Sequence, residues 1–183
     1  MNESKRHTIA VKVANEAGVL SQVSRLFSRK GYNIESLAVG ATDVPHISRI
    51  TIEVIAGAQQ AQLMCNQLRK LLPVHAVKLL DSSLAVRREL VLIKVRANSR
   101  EVRNEIIQIA NIFRGSVIDV SSETITISLI GAEGKTEAVE GLLREFGIIE
   151  LVRTGMIVLE RGQHTIDEYT KEKGEFNYGK NVL

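Results

Sequence analysis

The sequence is short of most residues that mark special chemistry. In 183 residues there is one cysteine, two prolines, no tryptophan and only 4% aromatic residues. A single cysteine, Cys65, excludes an internal disulfide framework and a Cys-rich metal site. The longest apolar runs are a few residues, too short for any helix to span a bilayer, so no membrane partner is expected. The stretch MNESKRHT has no apolar signal core, so export is not expected and a reducing cytoplasmic location fits. Scarce aromatics leave few platforms for stacking bases. Lys and Arg are scattered among nearly as many Asp and Glu, and a net charge of +3 with no basic stripe gives no reason to expect a nucleic-acid partner. What remains, 44% hydrophobic and 25% charged, is the composition of an ordinary chain that buries a core. The length suits one large domain or two small ones.

Residues 7–13 alternate, with Ile9, Val11 and Val13 on one side and Thr8, Ala10 and Lys12 on the other, which predicts a half-buried strand. From Val19 the period changes to that of a helix. Val19, Val23, Leu26 and Lys30 form a stripe that Leu20 and Phe27 widen, and Gly31 stands where a helix end wants positive φ. Strands are expected at 33–39 and 48–55. A helix follows at 58–72, with Ala61, Met64, Leu68 and Leu71 in register and Pro73 ending it, and then a strand at 74–80. The order is βαββαβ. After "DSSLAVRRE" it repeats: a strand at 90–95, a helix at 100–113 closed by Gly115, and strands at 116–120 and 124–130. A helix at 137–146, with Val139, Leu142, Leu143 and Phe146 inward and Gly147 as its cap, precedes strands at 149–153 and 156–159. The offset is roughly 80 residues, and self-similarity of this kind means duplicated architecture. The expected fold class is α+β: two tandem ferredoxin-like (βαββαβ) domains, each an antiparallel sheet with both helices on one face. Their expected extents are 7–81 and 88–161. Residues 162–183 form a polar tail, short of the aliphatic residues needed to order itself alone; a solvated terminus or a docking segment both fit.

The stretch "VANEAGVLSQVSRLFSRKGYNI" contains no His, no Cys and no carboxylate pair. A helix N-terminus leaves backbone N–H groups unpaired and carries partial positive charge. With Gly18 just ahead of the helix, the N–H groups of Gly18, Val19 and Leu20 are placed to hold a small carboxylate. A carboxamide such as Asn15 or Asn33 can accept from an ammonium and donate through its NH₂. Carboxylate and ammonium together describe a free amino acid. The same residues also fit a plain turn, in which Asn15 and Gly18 serve geometry and Asn33 sits in a bend.

"NEAGVLSQVSRLFSRKGYNIESL" resembles the signature of the ACT domain, the amino-acid-sensing ferredoxin-like module, and more specifically that of acetolactate synthase small regulatory subunits. The resemblance continues through "ISRITIEV", "RRELVLIKV", "IFRGSVIDV" and "LVRTGMIVL", from about Thr8 to Gly162. It implies a chain without an active site or cofactor of its own. Such a chain binds a large catalytic subunit carrying thiamine diphosphate, Mg²⁺ and usually FAD, activates it, and confers feedback inhibition by valine or a related branched-chain amino acid. By position, Asn15, Gly18 and Asn33 match the effector-binding residues, and Val19, Leu20 and Ile34 match neighbours that supply backbone contacts or line the pocket. The resemblance also implies a homodimer, with the effector between ACT domains of two protomers. A stand-alone ACT protein regulating another enzyme is the alternative within the family.

Other features point nowhere else. "GAEGKT" at 131–136 lacks the four residues that a phosphate loop needs between its glycines. His7, His46, His75 and His164 are dispersed, without an i, i+4 pair or clustered carboxylates, and are expected at the surface or at strand ends, not on a metal. Cys65 borders the apolar stripe of its helix, as a buried inert thiol does. Arg87-Arg88-Glu89 is expected as a solvated linker end, with subunit contact as the alternative. An RNA-recognition module shares the βαββαβ order, but it stacks bases on strand aromatics, and "SRITIEV" and "ETITISL" have none. A small acyl phosphate hydrolase on this fold would need a convergent Arg–Asn site.

Overall fold

The computed structural model describes residues 4–169. The first unit runs β1 (Lys5–Ala14), α1 (Val19–Lys30), β2 (Ser36–Ala41), β3 (Ile47–Ala56), α2 (Ala58–Leu68) and β4 (Val74–Leu80). The second runs β5 (Ala85–Arg96), α3 (Arg100–Ile112), β6 (Ser116–Val120), β7 (Thr124–Gly131), α4 (Glu133–Leu143), β8 (Ile148–Arg153) and β9 (Ile157–Glu160). Both sheets are antiparallel, in the orders β2-β3-β1-β4 and β6-β7-β5-β8. In each unit the two helices cover one sheet face. Ile9, Val11, Ile50 and Ile52 meet Val23, Phe27, Met64 and Leu68 in the first. Val91, Ile93, Ile125 and Ile127 meet Ile106, Val139 and Leu143 in the second. The expected α+β class holds, with a fifth strand in the second sheet.

That fifth strand decides how the units join. Strand β9 does not extend the β8 edge; it pairs with the first four residues of β5, from Ala85 opposite Glu160 to Arg88 opposite Ile157. The resulting ribbon lies on the helix-free face of the first sheet. Ala85, Met156, Val158 and Ile166 bury Ala10, Ala76 and Leu80 there. The expected half-buried β1 is therefore buried on both faces: Ile9, Ala10 and Val11 are each 0% exposed. Thr8 and Glu53, at 3% and 1% exposed, lie on this second covered face, opposite one another across β1 and β3.

Their burial requires partners. Arg87 forms an ion pair with Glu53 and donates to Thr8 Oγ1 at 3.1 Å. Arg6 reaches Glu53 at 3.2 Å and Glu133 of α4 at 3.1 Å. Arg153 pairs with Glu89 at 2.6 Å, and Thr136 donates to the same carboxylate. The Arg87-Arg88-Glu89 run is thus the middle of a strand and no solvated linker end; only Arg88 of the three is exposed.

Smaller expectations also change. Arg114, not Gly115, takes the positive φ after α3. Gly115 matters instead for close approach, since a Cβ there would stand 3.1 Å from the Ser128 carbonyl. Leu142 faces solvent rather than the core. His7 lies near the start of β1, as a strand-end residue, but is buried. From the expected polar tail, Ile166 is buried against the first sheet, and Asp167 and Glu168 pair with Lys12 and Lys78. Residues 170–183 lie outside the described residues.

Candidate functional site

Helix α1 is drawn onto its sheet by Val19, Val23 and Phe27, with Phe27 also meeting Tyr32 edge-to-face at 6.4 Å between ring centroids. This sets the helix start directly after the end of β1. The connecting loop is pinned by Ala14 N donating to Pro73 O and Asn15 N donating to His46 O, both at 2.8 Å. Gly18 then adopts φ 85°, ψ −9°. An L side chain is strained in that left-handed conformation, which is an additional reason for glycine beyond ligand approach. A Cβ at Gly18 would meet no atom within 4 Å, so the space before the helix is open.

The helix start is electrostatically bare. No side chain caps it and its first turn holds no acidic residue. Its first helical hydrogen bond runs from Gln22 N to Gly18 O at 3.0 Å, and Val19 N reaches Glu16 O only at 3.4 Å. Among the described residues the N–H groups of Gly18 and Leu20 have no acceptor. The equivalent helix of the second unit is closed: Ser99 Oγ accepts from Val102 N and Glu101 occupies the first turn. An anion meets a start without side-chain cap or acidic residue at α1, and one already capped by Ser99 and shielded by Glu101 at α3.

Asn15 is exposed beside these donors. The Val19 side chain is buried in the core, so this residue offers backbone only, whereas Leu20 is 43% exposed and stands clear of the core. Asn33 and Ile34 lie in the irregular segment before β2, not inside the expected strand; Asn33 is exposed and Ile34 packs partly on the core. They follow the other end of α1, whose 12 residues span about 18 Å. One chain does not bring Asn33 and Ile34 together with Asn15, Gly18, Val19 and Leu20.

Two neighbours escape a reading of the motif alone. Glu35 accepts a hydrogen bond from Asn33 Nδ2, a contact two residues apart that the pattern could have suggested. Strand β2 also meets the second unit: Met156 N donates to Ser36 Oγ at 3.0 Å, and Gly155 packs so tightly that an added Cβ would be 2.8 Å from Leu37 O. No local signal connects residues 120 positions apart. Among the described residues no group of three or more His, Cys, Asp or Glu could hold a metal ion, and no helix is long and apolar enough to cross a membrane.

Two ferredoxin-like units in series, the first opening its helix with an uncapped glycine turn, define an ACT-domain protein with a second, like-folded unit. Comparison with known proteins agrees and is narrower. Residues 9–76 match the AHAS small subunit-like ACT domain, and residues 88–162 match the family described as the small subunit of acetolactate synthase. The acetolactate synthase small subunit of Mycobacterium bovis is 45% identical over 162 residues, 88% of this chain and 96% of the relative. That of Aquifex aeolicus is 46% identical over 157 residues, 86% and 82% of the two chains. The crystal structure of the small subunit from Thermotoga maritima superposes with a TM-score of 0.81 at 37% identity, covering 87% of this chain and 99% of that one. The chain belongs to the acetolactate synthase small-subunit family.

Proposed function

We propose that the chain is the regulatory subunit of acetolactate synthase, that it binds and activates the large catalytic subunit, and that it makes that enzyme sensitive to valine or another branched-chain amino acid. The thiamine diphosphate, Mg²⁺ and FAD of the reaction belong to the catalytic partner. The observation that carries the effector reading is the bare start of α1. Its donors at Gly18 and Leu20 suit an α-carboxylate, the Asn15 carboxamide stands beside them, and Leu20 offers an apolar wall for an aliphatic side chain.

The other half of the site comes from a second copy. Asn33 and Ile34 lie a helix length away, so a homodimer that sets the 33–34 segment of one protomer against the 15–20 loop of its partner completes a pocket for both ends of an amino acid. Among the described residues strand β2 pairs with β3 alone, and its other edge suits such pairing. A regulatory site between protomers also lets effector occupancy bias the assembly.

The test is reconstitution with the catalytic subunit, with activity measured across a valine titration, beside calorimetry of valine on the small subunit alone. Activation together with valine inhibition is expected. Asn15→Ala and Asn33→Ala each remove a hydrogen bond to a charged group, a loss of about 1.5–3 kcal/mol and about ten- to hundredfold in affinity. A small subunit that is monomeric with valine present, or that leaves the catalytic subunit's activity unchanged, overturns the reading.

A further inference from the structure

Glu35 does more than follow Asn33 in sequence. Its backbone N donates to Glu53 O at 2.9 Å, which ties the residue to the central strand β3 and so fixes where its side chain starts. Its carboxylate accepts from Asn33 Nδ2 at 2.5 Å. A carboxylate has no donor to offer, so this bond sets which way the Asn33 amide faces: one N–H of its NH₂ is held by Glu35 and Oδ1 is turned away from that carboxylate. An amide held in that orientation presents an acceptor outward. An acceptor suits an ammonium and does not suit a carbonyl oxygen.

We propose that Glu35 is the positioning residue that makes the site selective for a free α-ammonium, so that the protein distinguishes an amino acid from the corresponding 2-oxo acid. Two effects act together. Glu35 locks Asn33 with its oxygen toward the ligand, and its negative charge, one hydrogen bond behind Asn33, favours a cation over a neutral carbonyl at that end of the pocket. The 2-oxo acid shares the carboxylate and the aliphatic side chain, so the helix start and Leu20 do not separate the two molecules. With the carboxylate at the helix start of one protomer, the Asn33–Glu35 end of the other faces the atom that differs. A buried or oriented polar group left facing a like partner is how sites reject an isostere that lacks the matching group. The proposal rests on the effector reading given above.

The experiment is calorimetry on the full-length small subunit with L-valine and with its 2-oxo analogue, 3-methyl-2-oxobutanoate, for wild type, Glu35→Gln and Glu35→Asp. Wild type is expected to bind valine and to bind the 2-oxo acid far more weakly. Glu35→Gln frees the Asn33 amide to turn and removes the charge. Valine affinity should fall about tenfold or more, the 2-oxo acid should bind no worse, and the ratio between them should shrink by the same factor. Glu35→Asp keeps a carboxylate and should recover part of the ratio. Glu35 is exposed, so a merely structural role would weaken both ligands alike and leave their ratio unchanged. An unchanged ratio in Glu35→Gln, or equal wild-type affinity for the two ligands, overturns the proposal while leaving the effector site standing. A wild-type protein that binds neither ligand overturns both.

Discussion

Replacing Gly18 with aspartate, beside an asparagine control, separates backbone strain from ligand recognition. At φ 85° any L residue is strained by about 1–2 kcal/mol, with Asn and Asp the most tolerant. No atom lies within 4 Å of the new Cβ, so strain is the whole stability cost and no clash adds to it. For a chain of this length that amounts to a fall in Tm of about 2–8 °C. Asn and Asp share size and conformational tolerance, so the two variants should melt close together. They differ in charge at the place where the ligand carboxylate docks. Two like charges about 4 Å apart repel by about 1 kcal/mol in water and about 4 kcal/mol at the effective dielectric near a protein surface. Gly18→Asp should therefore bind valine about tenfold or more weakly than Gly18→Asn. The assay is thermal unfolding of both variants, followed by valine inhibition curves of the enzyme reconstituted with each. If Gly18→Asp keeps wild-type sensitivity, the helix start holds no carboxylate and Gly18 serves only the turn.

Arg87→Met should destabilise the chain by about 1–3 kcal/mol in urea unfolding, because it strips one partner from Glu53, which is 1% exposed, and leaves Arg6 and the Thr8 hydroxyl alone to satisfy that carboxylate; an unchanged midpoint would mean the inter-unit pair is idle. Burial first, and then the nearby Lys5 charge, hold the His7 imidazole below its usual pKa, against a hydrogen bond with the Ala56 backbone. The unfolded chain then binds the proton that the folded chain resists, so stability should be full above about pH 6.5 and decline as pH falls through and below it. The slope of unfolding free energy between pH 7.5 and 5.5, compared with that of His7→Gln, checks this, and equal slopes would refute it. Burial pushes the Cys65 thiol up to about 11, so a thiol reagent at pH 8 should leave the folded chain unlabelled and label it fully in denaturant.

The legibility of the fold and the site has a physical boundary. The change of period from two at Ile9–Val13 to helical at Val19–Phe27 reports which residues avoid water, and this is local information. It is enough for the two βαββαβ units, for α1 with its left-handed Gly31 at the end, and for Cys65 as an inert core thiol, though the left-handed φ of Gly18 came only with the structure. It placed Asn15, Gly18 and Leu20 at one helix start because that placement depends only on neighbours in the chain. Alternation shows one sheet face packed but is silent about the other when that face is covered through polar groups. Thr8 and Arg87 read locally as facing solvent because each is polar; Thr8 and Glu53 are buried, and Arg87 partly so, because they satisfy one another across 34 to 79 positions. For the same reason β9 and Ile166, read locally as a last strand and a tail, turn out to seal the junction between units. The Asn33 amide orientation and the distance from Asn33 to Gly18 likewise depend on how α1 lies on its sheet. Composition and periodicity determine what each segment becomes; the pairing of polar groups distant along the chain, and of surfaces on separate copies, is decided only once tertiary structure brings them within hydrogen-bonding reach.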